Sequence, residues 1–266
     1  MGRVRLHHVG ATIVVVFFVA AWAGPWVAPY APAAMDLRHA YELPSRHHWL
    51  GTTDNGIDLL SALLHGARLA AVIGISVVSL SVLIGAVVGM IAGFWGGLLD
   101  DLLVGLADTV QSFPSILLNI AMLAWVERPG VPHIIAVLSM NGWVLYARLV
   151  RAKALAVREL DYVMAAKALG FSRARIAFRH VLPVMVPPLV VQATAGFGGV
   201  VLVESSLSFL GIGPGVMVSW GALLDQGTAV LLRFPHVAMI TGTVLATTVM
   251  GFQLAGDRLA DRVDAP

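Results

Sequence analysis

The chain has 266 residues, of which 58% are hydrophobic and only 12% charged. A water-soluble domain of this size carries about a quarter charged residues, so the composition excludes a continuous aqueous surface and makes lipid the natural solvent. There is no cysteine, which excludes disulfides, thiolate metal sites and cysteine nucleophiles.

A helix needs roughly 20 apolar residues to cross the hydrocarbon, and six stretches have that character. The first runs from Val9 to Ala28 and the second from Leu69 to Phe94, with no Asp, Glu, Lys or Arg in the latter. The third, Leu102 to Val126, holds one acid, Asp108. The fourth, Val131 to Ala147, is short until Leu149 and Val150 are counted; the fifth is Val181 to Val203 and the sixth Phe234 to Ala255. In hydrocarbon each backbone polar group must be satisfied within the protein, so all six are expected to be helices. The polar–apolar alternation of a membrane barrel is absent. The first stretch has a rival reading: Arg3 and Arg5, an apolar core and Ala21-Trp22-Ala23 resemble a cleavable signal peptide, whose removal would leave five spans. Between the first two spans, Pro29 to Arg68 reads as an exterior loop with little regular structure, ending in a short helix from Asp58 to Gly66.

Lys and Arg concentrate on the cytoplasmic side of membrane proteins. With the N-terminus inside, twelve of the seventeen fall in interior segments, against Arg38, Arg46, Arg68, Arg128 and Arg233 outside. Both termini are therefore expected inside. One interior loop, Phe94 to Asp101, departs from this by carrying two aspartates and no base.

The longest polar segment predicted inside runs from Arg148 to Pro183, and it reads as two short helices with a turn between them. Asp161 is placed to cap the first, Gly170 to stop it in the left-handed conformation, and Ser172 to cap the second. Ala165, Ala166 and Ala168 read as a small-residue face open to close approach, rimmed by Arg173, Arg175 and Arg179. The plainer reading is a basic helix lying on anionic headgroups.

This segment resembles the signature loop of binding-protein-dependent ABC importer permeases, written Glu-Ala-Ala, then Gly four residues on, then Ile and Leu-Pro. Ala165, Ala166, Gly170, Ile176, Leu182 and Pro183 match it in spacing, and Met164 replaces the Glu. Other stretches narrow the resemblance to the dipeptide/oligopeptide/nickel group, DppC/OppC type. They are His48-Trp49-Leu50-Gly51-Thr52 with Gly56 and Asp58, where Thr53 and Ile57 depart from the pattern, and then Gly66-Ala67-Arg68. They continue with Gly93-Phe94-Trp95-Gly96-Gly97, Asp100, Asp108 and Pro114 (Gly105 replacing an Arg), Glu204 to Gly213, Ser219-Trp220-Gly221, and a tail of Leu254, Gly256-Asp257-Arg258 and Asp264.

The resemblance implies an all-α integral membrane protein with about six transmembrane helices and a cytoplasmic coupling helix, the type I ABC importer permease fold. It divides the chain into residues 1–28, an exterior loop 29–66 and a permease core 67–266 with the coupling loop at 148–183. It implies that Tyr162, Ala165, Ala166, Gly170, Phe171, Ser172, Arg175, Leu182 and Pro183 engage an ATPase. The implied partners are a homologous permease, ABC ATPase subunits and an extracytoplasmic substrate-binding protein, in a bacterial inner membrane and with no nucleic acid. The implied cargo is di- or oligopeptides, with nickel complexes, opines or haem as related alternatives.

Polar residues and irregular backbone within spans need a partner or a role. Asp108, Gln192, Gly196, Glu204, Ser205 and Phe209 are the candidates for a translocation pathway and gate. Plainer roles are an ion pair for Asp108 and a cap on a re-entrant turn, Ser205 to Ser208, for Glu204. Gly85, Gly89 and Gly93 mark a close-packed helix face, and Gly196, Gly198, Gly199, Pro187 and Pro188 predict a bent, pore-lining fifth span. The paired histidines His7-His8 and His47-His48 lack ligand spacing, so no metal is expected. The chain has no phosphate-binding loop of its own. ATP and Mg are therefore expected in the partner ATPase, and no cofactor or catalytic residue here. The rival readings are a secondary transporter, for which Asp108 is the one intramembrane acid, and a membrane anchor that moves no solute.

Overall fold

The computed structural model describes residues 2–32, 34–215 and 218–263. Asp264 lies outside the described residues, as do the side chains of Arg3, Arg5 and His7. The regular elements among the described residues are helices, with one isolated antiparallel bridge between Thr52 and Asp58. Among the described residues ten α-helices occur in chain order: α1 (Gly2–Val27), α2 (Leu59–Met90), α3 (Leu98–Gln111), α4 (Ser115–Leu123), α5 (Val131–Val157), α6 (Asp161–Ala168), α7 (Arg173–Ile176), α8 (Leu182–Phe209), α9 (Trp220–Ala229) and α10 (Pro235–Val263). Among the described residues, five helical stretches are long and apolar enough to cross a membrane, and the bent pair α3–α4 makes a sixth if it counts as one span.

Several boundaries differ from the sequence reading for identifiable reasons. The expected short helix from Asp58 is instead the first turns of α2, because Asp58 caps that helix directly, accepting from the Ser61 N–H at 2.8 Å. At 1.5 Å per residue α2 is about 48 Å long, more than the roughly 30 Å hydrocarbon requires. The third span is not one rod: α3 and α4 meet at 80° across Ser112-Phe113-Pro114. Pro114 lacks an N–H and disfavours helical geometry at Phe113, which is enough to break the helix there. The fifth span shows the opposite. α8 runs as a helix through Pro187, Pro188 and the glycines to Phe209, and the departure from α geometry is a wide π turn earlier, at Ala177–Val181. No re-entrant turn exists at Ser205–Ser208; the chain turns at Gly211 (φ +78°), whose N–H donates to the Ser208 carbonyl while the Ile212 N–H donates to Leu207. α9 went unanticipated, and Ser219 caps it by accepting from the Ala222 N–H.

Water-driven burial does not hold helices together in lipid, so close backbone approach and interhelical hydrogen bonds do. A Cβ on Gly85 would lie 2.5 Å from the Tyr146 Cβ, and one on Gly93 2.6 Å from the Arg151 carbonyl oxygen, so α2 and the π turn that follows it (Ile91–Trp95) touch α5 along the glycine face. α1 is seated the same way: Gly251 of α10 meets Ile13, and Gly24 meets Leu64 of α2. Phe17 of α1 is buried against Phe197, Trp220 and Phe252, so removing the first span as a signal peptide would open the core. The Trp220 indole donates to the Leu63 carbonyl at 3.0 Å and ties α9 to α2.

These contacts sort the chain into two ends. Gly93–Asp101, the end of α5 and α6–α7 share one end: Arg151 makes a bidentate pair with Asp100 (2.5 and 2.8 Å), and Arg158 donates to the Gly93 carbonyl. One of the two aspartates that departed from the charge rule, Asp100, is thus paired with a base of the neighbouring helix. The 34–58 segment and the start of α10 share the other end, where the His236 ring meets the Thr52 carbonyl at 3.2 Å and Tyr41 stacks on Phe234.

Candidate functional site

The segment between α5 and α8 is built as a buttressed knob. On α6, Val163 and Ala166 point inward and pack with Ile176, Ala177 and Val181 beneath the ends of α2 and α5. Residues one or two positions away on a helix cannot share that face, so Tyr162, Met164 and Ala165 are left exposed, and Leu169 and Phe171, in the turn past the end of α6, are exposed as well. This divides the alanine face read from the sequence: Ala165 and Ala168 are outside, whereas Ala166 is 4% exposed and belongs to the core.

Gly170 performs the predicted stop. Its φ is +80°, its N–H donates to Lys167 and the Phe171 N–H donates to Ala166, which is the paired bonding of a Schellman C-cap. Ser172 caps α7 by accepting from the Arg175 N–H at 3.3 Å. The Asp161 cap is corrected: Leu160 occupies the cap position without a side-chain bond, and Asp161 is the first helical residue, where its charge still suits the positive end of the helix. Leu182 and Pro183 open α8 as expected, directly after the π turn at Ala177–Val181.

The knob is braced by contacts the sequence did not reveal. The His180 imidazole lies between the Tyr162 and Phe171 rings, 6.4 and 6.3 Å between centroids. The Arg175 guanidinium sits 5.2 Å over the Phe171 ring, and Lys167 donates to the Arg158 carbonyl. Leu169, 74% exposed, was also missed; helical spacing would place it beside Ala166, and it is exposed because α6 ends at Ala168 and the chain turns at Gly170.

The membrane-embedded candidates do not form one site. Asp108 pairs with Arg148 at 2.7 Å and lines a cleft of about 350 Å³ between α2, α3 and α5. Glu204 is buried and accepts from the hydroxyls of Ser208 (2.8 Å) and Ser205 (3.5 Å) on its own helix. Ser205 is buried as well, against Gly221 of α9, whereas Phe209 is exposed at the end of α8. Gln192 is partly buried in the first half of α8. Gly196 faces the Tyr146 hydroxyl, 2.5 Å from where a Cβ would stand.

The exterior motif has a structural task. His48 Nδ1 meets one oxygen of Asp58 at 3.0 Å, and the other oxygen accepts from the N–H and hydroxyl of Ser61. The positive φ values at Gly51 and Gly56 fold the loop back onto the start of α2. Among the described residues, no group of three or more His, Cys, Asp or Glu could hold a metal.

Residues 85–264 match the family described as the inner membrane component of binding-protein-dependent transport systems. Similar proteins include the dipeptide transport system permease protein DppC of Alkalihalophilus pseudofirmus, 34% identical over 98% of this chain and 86% of that one. The oligopeptide transport system permease protein OppC of Bacillus subtilis is 32% identical over 98% and 85%, and the glutathione transport system permease protein GsiD of Pectobacterium atrosepticum 34% over 96% and 85%. In architecture the chain is similar to a solved amino acid ABC transporter with histidines, with a TM-score of 0.57 at 15% identity, covering 76% of this chain and 94% of that one. The buttressed knob, the long apolar spans and the match over most of the chain agree, and the chain belongs to the family of binding-protein-dependent transport permeases, as a multi-pass inner membrane component.

Proposed function

We propose that this permease carries di- or oligopeptides inward, and that ATP hydrolysed by separate subunits drives it through the knob at α6–α7. The observation that carries this reading is the exposed apolar cap of Tyr162, Met164, Leu169 and Phe171, held rigidly over a buried base and rimmed by Arg173, Arg175 and Arg179. Such a surface is costly facing water and fits a cleft on another protein. Because α7 continues through the π turn into α8, a push on the cap is transmitted to a spanning helix as a near-rigid body. This chain then contributes docking, transmission and a pathway wall, and an extracytoplasmic binding protein delivers the cargo. The peptide cargo is supported by the names of the relatives.

A second permease is supported by the α3–α4 break. Gln111 to Leu117 are exposed around it, and irregular backbone at membrane depth is stable only against protein or a water-filled cavity. The orientation proposed places both termini, the knob and the Asp100–Arg151 pair in the cytoplasm.

The test is purification of the complete transporter by a tag on this chain, comparing wild type with Leu169→Arg. A phosphate-loop ATPase and a second permease are expected with wild type, and the substitution is expected to release the ATPase while the second permease stays. Purification of the wild-type chain without an ATPase would overturn the reading.

A further inference from the structure

At the end of the bundle that carries the knob, α2, α3 and α5 frame the cleft of about 350 Å³ that holds Asp108, a volume within the range of small-molecule sites. Arg148 lies about 26 Å along α5 from Val131, close to the full hydrocarbon thickness. The cleft is therefore at the depth where acyl chains give way to headgroups. Its floor is apolar: Val88, Ala107 and Ala147 pack with Trp143 and Val144. Arg148, Arg151 and Asp108 bring charge to the same cleft, and their side chains are 52%, 35% and 60% exposed.

These charges do not exhaust one another. Among the described residues Arg148 bonds Asp108 through Nη2, and one oxygen of Asp108 accepts it. That leaves Nε and Nη1 of the arginine and the second carboxylate oxygen for a ligand. Arg151 gives Nε and Nη2 to the two oxygens of Asp100 and keeps Nη1. The cleft thus offers donors to an anion beside an acceptor for a cation. With Asp100 counted, the four charges cancel, which suits a ligand of no net charge that itself carries both signs. The cleft also continues toward the bilayer interior. Val88 is one helical turn from Ile84, and Leu80, Ile84 and Val87 make an exposed apolar row on α2 that runs toward mid-depth.

We propose that this cleft is a binding site for a phospholipid whose headgroup joins a phosphate to a primary ammonium, as in phosphatidylethanolamine. The phosphate oxygens accept from Arg148 and Arg151, the ammonium donates to the free oxygen of Asp108, and an acyl chain follows the Ile84 row of α2. Basic pockets between spans hold lipid headgroups at the membrane surface, and here the aspartate adds selectivity. A phosphocholine headgroup carries the same two charges but no N–H for Asp108, and phosphatidylglycerol carries no cation. The site is independent of which cargo the transporter moves.

The test uses the complete transporter, purified by a tag on this chain and equilibrated in mixed micelles with equal amounts of phosphatidylethanolamine, phosphatidylcholine and phosphatidylglycerol of identical acyl chains. Native mass spectrometry then reads which lipids stay bound after dilution into lipid-free detergent. Wild type is expected to retain the ethanolamine lipid about tenfold over the choline lipid, the difference of one hydrogen bond to a charged group. Asp108→Asn keeps the shape, removes the charge and is expected to bring the two lipids to parity. Val104→Phe fills the cleft from α3 without touching a charge and is expected to cost one retained ethanolamine lipid per copy of this chain. Equal retention of the ethanolamine and choline lipids by wild type overturns the proposal and needs no variant. So does phosphatidylglycerol held above both, since net negative charge then suffices. A preference that survives Asp108→Asn overturns the role of the aspartate, and one that survives Val104→Phe places the lipid elsewhere and overturns the site. Were Asp108→Asn not to assemble, the wild-type comparison and Val104→Phe decide alone.

Discussion

At Gly170 the backbone is left-handed, and a Cβ would touch no neighbour within 4 Å. Substitution is therefore opposed by conformation rather than crowding. Gly170→Ala is expected to cost about 1–2 kcal/mol locally and to lower the ATPase recovered with the chain, while the melting temperature of the spanning helices holds. The neighbouring alanines separate fold from docking. Ala166→Leu overpacks the base of the knob and is expected to cost about 1–3 kcal/mol, read as a lower melting temperature, whereas Ala165→Leu is expected to leave melting unchanged and reduce ATPase binding. In the exterior loop, the hydrogen bond from His39 to Asp36 (2.7 Å) raises the imidazole pKa above 6.5 and lowers the carboxyl below 3.8. The His39 contribution is full below its unfolded pKa and is lost as pH rises through the raised value. The Asp36 contribution is present above the unfolded carboxyl value and lost as pH falls through the lowered one. Loop order is thus expected to peak in mildly acidic solution, and Asp36→Asn to move the His39 titration down, as followed by NMR. At this scale Gly170 and Ser172 were legible because their chemistry is local. Asp161 misled, because a capping residue and a first-turn acid are one position apart and equally compatible with the sequence.

Among the elements, the α2–α5 seam rests on Gly85, Gly89 and Gly93, whose absent side chains admit Tyr146, Ala147, Val150 and Ala154. Gly89→Leu is expected to pry the two helices apart and lower the melting temperature in detergent, whereas Gly105→Leu on α3, where a Cβ would meet nothing, is expected to be neutral. The glycine spacing announced a close contact but could not name its partner, since every helix carries apolar residues at that depth. The break between α3 and α4 was foreshadowed by Pro114, yet prolines inside α8 leave that helix continuous. A proline in a span breaks it only where neighbours do not hold the freed carbonyl and its flanks in line, and that is decided by packing.

Across the whole molecule, charge separates the two ends and gives a direct test of orientation. With no native cysteine, Leu169→Cys is expected to react with a membrane-impermeant maleimide only after the inner membrane is opened, and Trp49→Cys, 68% exposed in the opposite loop, in cells whose inner membrane is intact. Reversed labelling would invert the proposed topology. The Asp100–Arg151 pair locks the end of the bundle that carries the knob, so Asp100→Arg and Arg151→Asp are each expected to lower expression and melting temperature, and the double exchange to restore them in part.

The apolar runs, the basic loop and the order of short motifs determined from the sequence that this chain is a helical membrane permease, because lipid imposes length and internal hydrogen bonding on any segment that crosses it. The tertiary structure alone decided which alanine faces inward, which helices the glycines join, that Asp108 is paired with Arg148, and that the pair shares one cleft with Val88 and Arg151. Those residues are widely separated in the chain, and in a bilayer hydrophobicity says only that a helix is inserted. Which side of it meets lipid, another helix or a cavity is set by the contacts of the assembled bundle.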